Sequence, residues 1–215
     1  MEGLLEKDIR LLLRSRQTVV LVLALALLIG FSQDGTFILG YFPLMIAIFL
    51  TRTISYDEME NGYQFMMTLP IDIKMYVKEK YVFCMGGTLL AWLASVALYF
   101  ASKAVHGDTV SFWKDLPMTF PFLPIVLLTL ALMMPIQIKF GVERSRLVML
   151  GCVGGLAAII FVLTNVIEAD TVKEIAAQLD RINESVFHVG GVILTLVLVI
   201  VSCRISCGIM QKKEF

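Results

Sequence analysis

Tyr81–Ala104, YVFCMGGTLLAWLASVALYFASKA, decides the fold. The run carries one charge, Lys103, beside its end, and is long enough to cross ~30 Å of hydrocarbon as a helix. Gly87, Ala91 and Ser95 recur at every fourth position, the spacing of one helix face and of close helix approach between small residues. Three further runs read the same way: Pro117–Ile138, Leu147–Ile167, which contains Gly151 and Gly155 in a G-x-x-x-G spacing, and Val186–Ile209. Thr18–Phe31 and Thr36–Leu50 are shorter, and only Ser32-Gln33-Asp34-Gly35, a turn sequence, separates them. They are either two tilted crossings or a hairpin that dips in and returns, and in both cases the chain comes back to its starting side. The expected architecture is all-α and polytopic, with six transmembrane helices in a single domain over residues 1–215.

The chain is 58% hydrophobic and 17% charged, with a mean hydropathy of +0.83, which excludes a water-soluble globular domain. A formal net charge of zero, with no concentrated basic face, excludes nucleic acid as a partner. The segments 1–17, 52–80, 139–146 and 204–215 hold 14 of the 18 Lys and Arg, so these segments and both termini are expected on the cytoplasmic side. Residues 1–17 set Leu4, Leu5, Ile9, Leu12 and Leu13 against Lys7, Arg10 and Arg14, the pattern of a helix lying in the inner membrane interface.

The long runs contain no Asp or Glu, which argues against proton or sodium coupling at mid-membrane. His106 and His188 are isolated near expected outer helix ends, and Cys84, Cys152, Cys203 and Cys207 lie in or beside apolar runs, so neither a metal site nor a disulfide framework is expected. The chain has no G-x-x-x-x-G-K-[ST] phosphate cradle, and no catalytic, cofactor or metal residues are expected in it. Residues 168–185 contain Thr171-x-x-Glu174 followed by Ile175, Ala176, Leu179 and Ile182, which predicts a short amphipathic outer helix.

The inner connection Arg52–Lys80 holds Asp57, Glu58, Glu60, Asp72 and Glu79. Ser55-x-x-Glu58 reads as a capping box that starts a helix near Tyr56, which Leu69-Pro70 ends. Asp72 then caps a second helix running through Lys80 into the next span. Acidic residues fall early in the first of these helices, while Tyr63, Phe65, Met66 and Met67 gather late. Exposed apolar bulk of this kind takes a cover, either lipid or a partner protein.

Asp57-Glu58, Asn61-Gly62, Phe65, Thr68-Leu69-Pro70-Ile71, Lys74, Tyr76-Val77 and Lys80-Tyr81 resemble the second-to-third-helix loop of bacterial type-2 ABC exporter permeases. Lys139-Phe140-Gly141, Glu143-Arg144 and Arg146 resemble the string in that family's next inner loop. The sequence departs from many relatives at Ile73, where they carry Arg. The resemblance is strongest to exporters of amphipathic peptide toxins and bacteriocins, such as phenol-soluble modulin exporters.

It implies a permease in the bacterial cytoplasmic membrane whose loop helix is a coupling helix docked on a separate ABC ATPase subunit, which carries the ATP and Mg. Contacts to that subunit are then expected from Glu58, Glu60, Gly62, Tyr63, Phe65, Met66, Met67, Lys139, Glu143 and Arg144, and helix packing from Gly87, Ala91, Ser95, Gly151 and Gly155. A second copy of the chain, membrane lipid and a peptide cargo complete the expected partners. Alternative readings are a lipid or polysaccharide exporter subunit and a toxin-immunity protein that sequesters without transporting; a channel is disfavoured because no filter motif is present.

Overall fold

The computed structural model describes residues 2–14, 16–32, 35–58, 72–107, 112–141, 148 and 184–212. Among these residues the chain is helical and has no strand. The helices are α1 (Glu2–Arg14), α2 (Arg16–Ser32), α3 (Thr36–Glu58), α4 (Ile73–His106), α5 (Phe112–Thr119), α6 (122–141) and α7 (Glu184–Gln211). Four segments are long and apolar enough to cross a membrane: Thr36–Glu58, Ile73–His106, Asp115–Gly141 and Val189–Gln211. The α1–α2 pair, bent by 66°, would make a fifth. The expected Leu147–Ile167 span apart from Val148, residues 59–68 of the helix expected to start near Tyr56, and residues 168–183 of the outer segment lie outside the described residues.

α4 is the longest element, 34 residues with no internal proline, or about 51 Å at ~1.5 Å per residue. It exceeds the ~30 Å hydrocarbon thickness, so its ends project beyond it. At its start the carbonyl of Asp72 accepts the N–H groups of Met75 and Tyr76 at 2.9 and 3.0 Å, while the Asp72 side chain makes no cap hydrogen bond. It stops at Gly107, whose left-handed φ of 79° lets its N–H turn back to the Lys103 carbonyl. The basic Lys103 and His106 stand in the last turn, where the helix dipole favours them.

α3 corrects one reading of the sequence. No helix begins near Tyr56: α3 runs unbroken through Glu58, and Ser55 sits inside it and caps nothing. The reason is burial. Thr51 and Thr53 donate back to the carbonyls of Ile48 and Leu50 at 2.8 and 2.9 Å, while Thr53, Ile54 and Asp57 are covered by the bundle, so packing carries the helix past a local start signal.

One large apolar core joins α3, α4 and α6, with Leu50, Ile54, Val77, Leu130, Met134 and Ile138 among its members, and draws in Leu4 of α1 and Val199 and Met210 of α7. Several polar groups inside it are paired across helices. Tyr81 Oη shares hydrogen bonds with the hydroxyls of Ser202 (2.7 Å) and Ser206 (2.8 Å), Ser202 donates to the Ala131 carbonyl, and Gln137 Nε2 donates to Thr51 Oγ1 at 3.2 Å. Interhelical bonds of this kind hold helices together where lipid supplies no hydrophobic drive.

At the opposite end from α1, Lys103 pairs with Asp115 at 2.8 Å and Trp92 Nε1 donates to the Thr119 carbonyl at 3.3 Å, tying α4 to α5. α7 turns mostly apolar residues outward, including Ile193, Leu194, Val197 and Ile200, as a helix bathed in lipid or covered by further helix would.

Gly87 sits where α3 and α4 come closest: a Cβ there would lie 2.6 Å from Leu50 Cδ1. Gly87→Leu is expected to force the two helices apart and lower the thermal midpoint in detergent, costing about 1–3 kcal/mol. Adding Leu50→Ala vacates that space, and the double variant should recover most of the loss in the same melting experiment.

Candidate functional site

The end of the bundle that carries α1 is built from charged residues in a dry place. α1 presents three stripes. Leu4, Asp8 and Leu12, at i, i+4 and i+8, face the bundle; Ile9 and Leu13 are exposed; Glu6 and Arg10 pair with each other at 2.5 Å on the open side. The bundle-facing stripe thus has an acid between two leucines. Asp8 is fully buried.

What meets it is Lys80 of α4, also fully buried, whose ammonium pairs with Asp8 Oδ2 and, at 2.7 Å, with Asp57 Oδ2 of α3. Asp57 gathers two more donors: Lys7 of α1 and the Tyr76 hydroxyl, which donates at 3.0 Å. Lys7 also stands 3.4 Å from Asp8 Oδ1, and the Lys80 ammonium lies 5.5 Å from the centre of the Tyr76 ring. Tyr76 and Lys80, one helical turn apart, therefore address the same carboxylate. Removing one partner from a buried pair of this kind costs about 3–5 kcal/mol, because the other charge is left uncompensated. The three helices cannot separate here one at a time.

Glu79 adds a fifth titratable group. It is 1% exposed, and neither of its carboxylate oxygens has a hydrogen-bond partner among the described residues, although it lies in the fields of Lys80, Asp8, Lys7 and Asp57. Two cations therefore face three carboxylates. Sequence reading put Asp57 and Glu79 in a water-facing loop; both are buried, because α3 and α4 extend past the apolar runs and α1 covers them.

A second contact joins α3 to α6. Gly141 adopts φ 71°, and a Cβ on it would fall 2.5 Å from Glu58 Oε2 and 2.6 Å from Oε1. The last residue of α3 thus occupies the notch that Gly141 leaves at the end of α6. Lys139, two residues earlier, is exposed, with its ammonium 5.1 Å from the centre of the Phe140 ring. Of the residues expected to meet a partner subunit, the structure brings Glu58 and the 139–141 turn to one place; Glu60, Gly62, Tyr63, Phe65, Met66, Met67, Glu143 and Arg144 lie outside the described residues. Of the small residues, Gly87 abuts Leu50, Ala91 is buried with Ala26, Ile38 and Phe42, Ser95 is buried and donates to the Trp92 carbonyl, and Gly151 and Gly155 lie outside.

Sequence reasoning missed the ionic cluster. The signal was present in Asp8, an acid in the middle of the Leu4–Leu12 stripe, and in the Tyr76–Lys80 spacing.

A family model described as ABC-2 family transporter protein matches residues 3–211. The chain belongs to that family. It is a multi-pass membrane subunit of the ABC-2 transporter type, and membership implies an ABC ATPase subunit as its partner. No curated protein and no solved structure matches the chain.

Two outcomes follow for this end of the transporter subunit. Glu79→Gln, which keeps the shape and removes a buried carboxyl with no hydrogen-bond partner among the described residues, should raise the thermal midpoint, whereas Asp57→Asn should lower it, at a cost of about 3–5 kcal/mol in stability, as Lys80 and Lys7 lose their shared charged acceptor. Gly141→Ala should cost about 1–2 kcal/mol for the left-handed backbone, in addition to displacing Glu58. In a double-variant cycle Glu58→Ala should relieve the second loss and not the first.

Proposed function

We propose that this chain is the permease of an ATP-driven exporter of amphipathic or antimicrobial peptides, with ATP and Mg held by a separate ATPase and with segment 59–71 as the docking element. The chain itself is non-catalytic in this reading. It works as two copies of a six-span subunit, with both termini and the docking segment in the cytoplasm of a bacterium.

The observation that carries the reading is the convergence at one end of the bundle. The residue before the segment, Glu58, meets Gly141 of the next inner loop, and the helix after it, α4, is bound through Lys80 to α1 and α3. A docking segment needs both of its stems held, since a load applied to a loose loop moves only the loop. The lysine and arginine bias toward 1–17, 52–80, 139–146 and 204–215 supports placing this end on the side where ATP is available. Cargo class is supported by the resemblance of the two inner motifs and by a bundle whose described charges gather at its ends.

Phe65→Glu or Met66→Glu is expected to abolish copurification of the ATPase while leaving the permease monodisperse in detergent; retention of the ATPase would overturn the docking role. In reconstituted vesicles an amphipathic cationic peptide should stimulate ATP hydrolysis. Stimulation by added phospholipid or polysaccharide in its place would reassign the cargo.

A further inference from the structure

We propose that Lys80 is a positioning residue that makes α1 a working part of the docking base, by holding both stems of segment 59–71 to the N-terminal helix. The inference rests on the reading of 59–71 as the ATPase-docking segment, and it assigns to α1 a role beyond lying at the membrane surface.

The argument begins with burial. Lys80 and Asp8 are both completely shielded, and Asp57 nearly so, and these three side chains come from three different helices. Asp57 stands one residue from the end of α3, and Lys80 lies two turns into α4, so the ammonium binds the helix that segment 59–71 leaves to the helix that it rejoins. Its second carboxylate, Asp8, belongs to α1. A helix that served only as a surface anchor would need apolar residues toward lipid and basic ones toward headgroups, which Ile9, Leu13 and Arg10 already provide. An acid on the bundle-facing stripe adds nothing to that task, and its burial is unfavourable unless it is paired. Its pairing with Lys80 is what the arrangement gains.

Lys7 does not substitute for Lys80. It reaches Asp57 and stands 3.4 Å from Asp8, yet it is partly exposed and belongs to α1 itself, so its close ion pair ties α1 to α3. Lys80, from α4, pairs with a carboxylate on each of the other two helices. Asp57 keeps the Tyr76 hydroxyl and Lys7 if Lys80 is neutralised, which makes it possible to remove the link without emptying the site.

The test uses the full chain in lipid nanodiscs, alone and coexpressed with its ATPase. Asp8→Leu combined with Lys80→Met replaces the ion pair by apolar groups of similar bulk, a change that buried ion pairs generally tolerate without loss of fold. Spin labels introduced through unnatural amino acids at the exposed positions Leu13 and Lys74 report the spacing of α1 and α4. Wild type and Lys80→Arg should give a narrow distance distribution, and the neutral pair a broad one with an unchanged melting temperature. ATPase affinity, measured by titration on immobilised permease, should fall by about tenfold or more in the neutral pair and be retained in Lys80→Arg.

A narrow distribution in the neutral pair, or a broad one with undiminished ATPase affinity, would overturn the proposal. If the neutral pair melts early, the single Asp8→Asn variant, which leaves Lys80 on Asp57, is read in the same way. If wild type itself binds no ATPase, the docking reading fails, while the label distances still decide whether Lys80 positions α1.

Discussion

The base of this transporter subunit depends on a single buried ammonium. Lys80 is surrounded by side chains from α1 and α3 and by its own neighbour Tyr76, and it has no water to fall back on. In such a place charge pairing is a constraint on geometry more than a source of stability, because the desolvation of each ion offsets much of its attraction while a broken pair leaves a charge stranded. The arrangement therefore specifies which helices move together. The apolar core that unites α3, α4 and α6 could be repacked in many ways; the ionic cluster accepts few.

The unpaired Glu79 gives the cluster a second property. With three carboxyl groups against two cations, one acid is left without a hydrogen-bond partner among the described residues. The neighbouring contact of Glu58 on Gly141 places a further carboxylate at the same end, in a notch that only a residue without a Cβ leaves open. Negative charge is thus concentrated where α3 ends, and helix C-termini are a place where acids find no help from the backbone dipole. The acids Asp57 and Glu58 sit there because partners on other helices hold them.

Much of the fold was legible in the sequence, and for a simple reason: apolar length is a strong signal. The helical segments Ile73–His106, Asp115–Gly141 and Glu184–Gln211 contain the runs that hydropathy marks, and family membership accords with the two inner-loop motifs. The peptide cargo, the pairing of copies and the sidedness rest on resemblance and charge bias alone. Local signals failed where tertiary contact was stronger. The Ser55-x-x-Glu58 pattern has the letters of a helix start, but burial of Thr53, Ile54 and Asp57 extends α3 through it. Asp72 stands at the cap position and starts the helix with its carbonyl alone. Spacing marks Asp8 and the Tyr76–Lys80 pair as residues in search of a partner but not whom they meet, because the members are separated by tens of residues and only the folded chain brings residues 8, 57 and 80 to one point.

The uninterrupted length of α4 has a consequence of its own. A stiff rod pivoting near Lys80 has an arm of about 39 Å to His106 and converts each degree of tilt into about 0.7 Å of travel at its far tip. Because that tip is fastened to α5 through Lys103 and Asp115, a swing of ten degrees at the near side would carry the opposite rim by roughly 7 Å, enough to part or close a passage with no unwinding along the way.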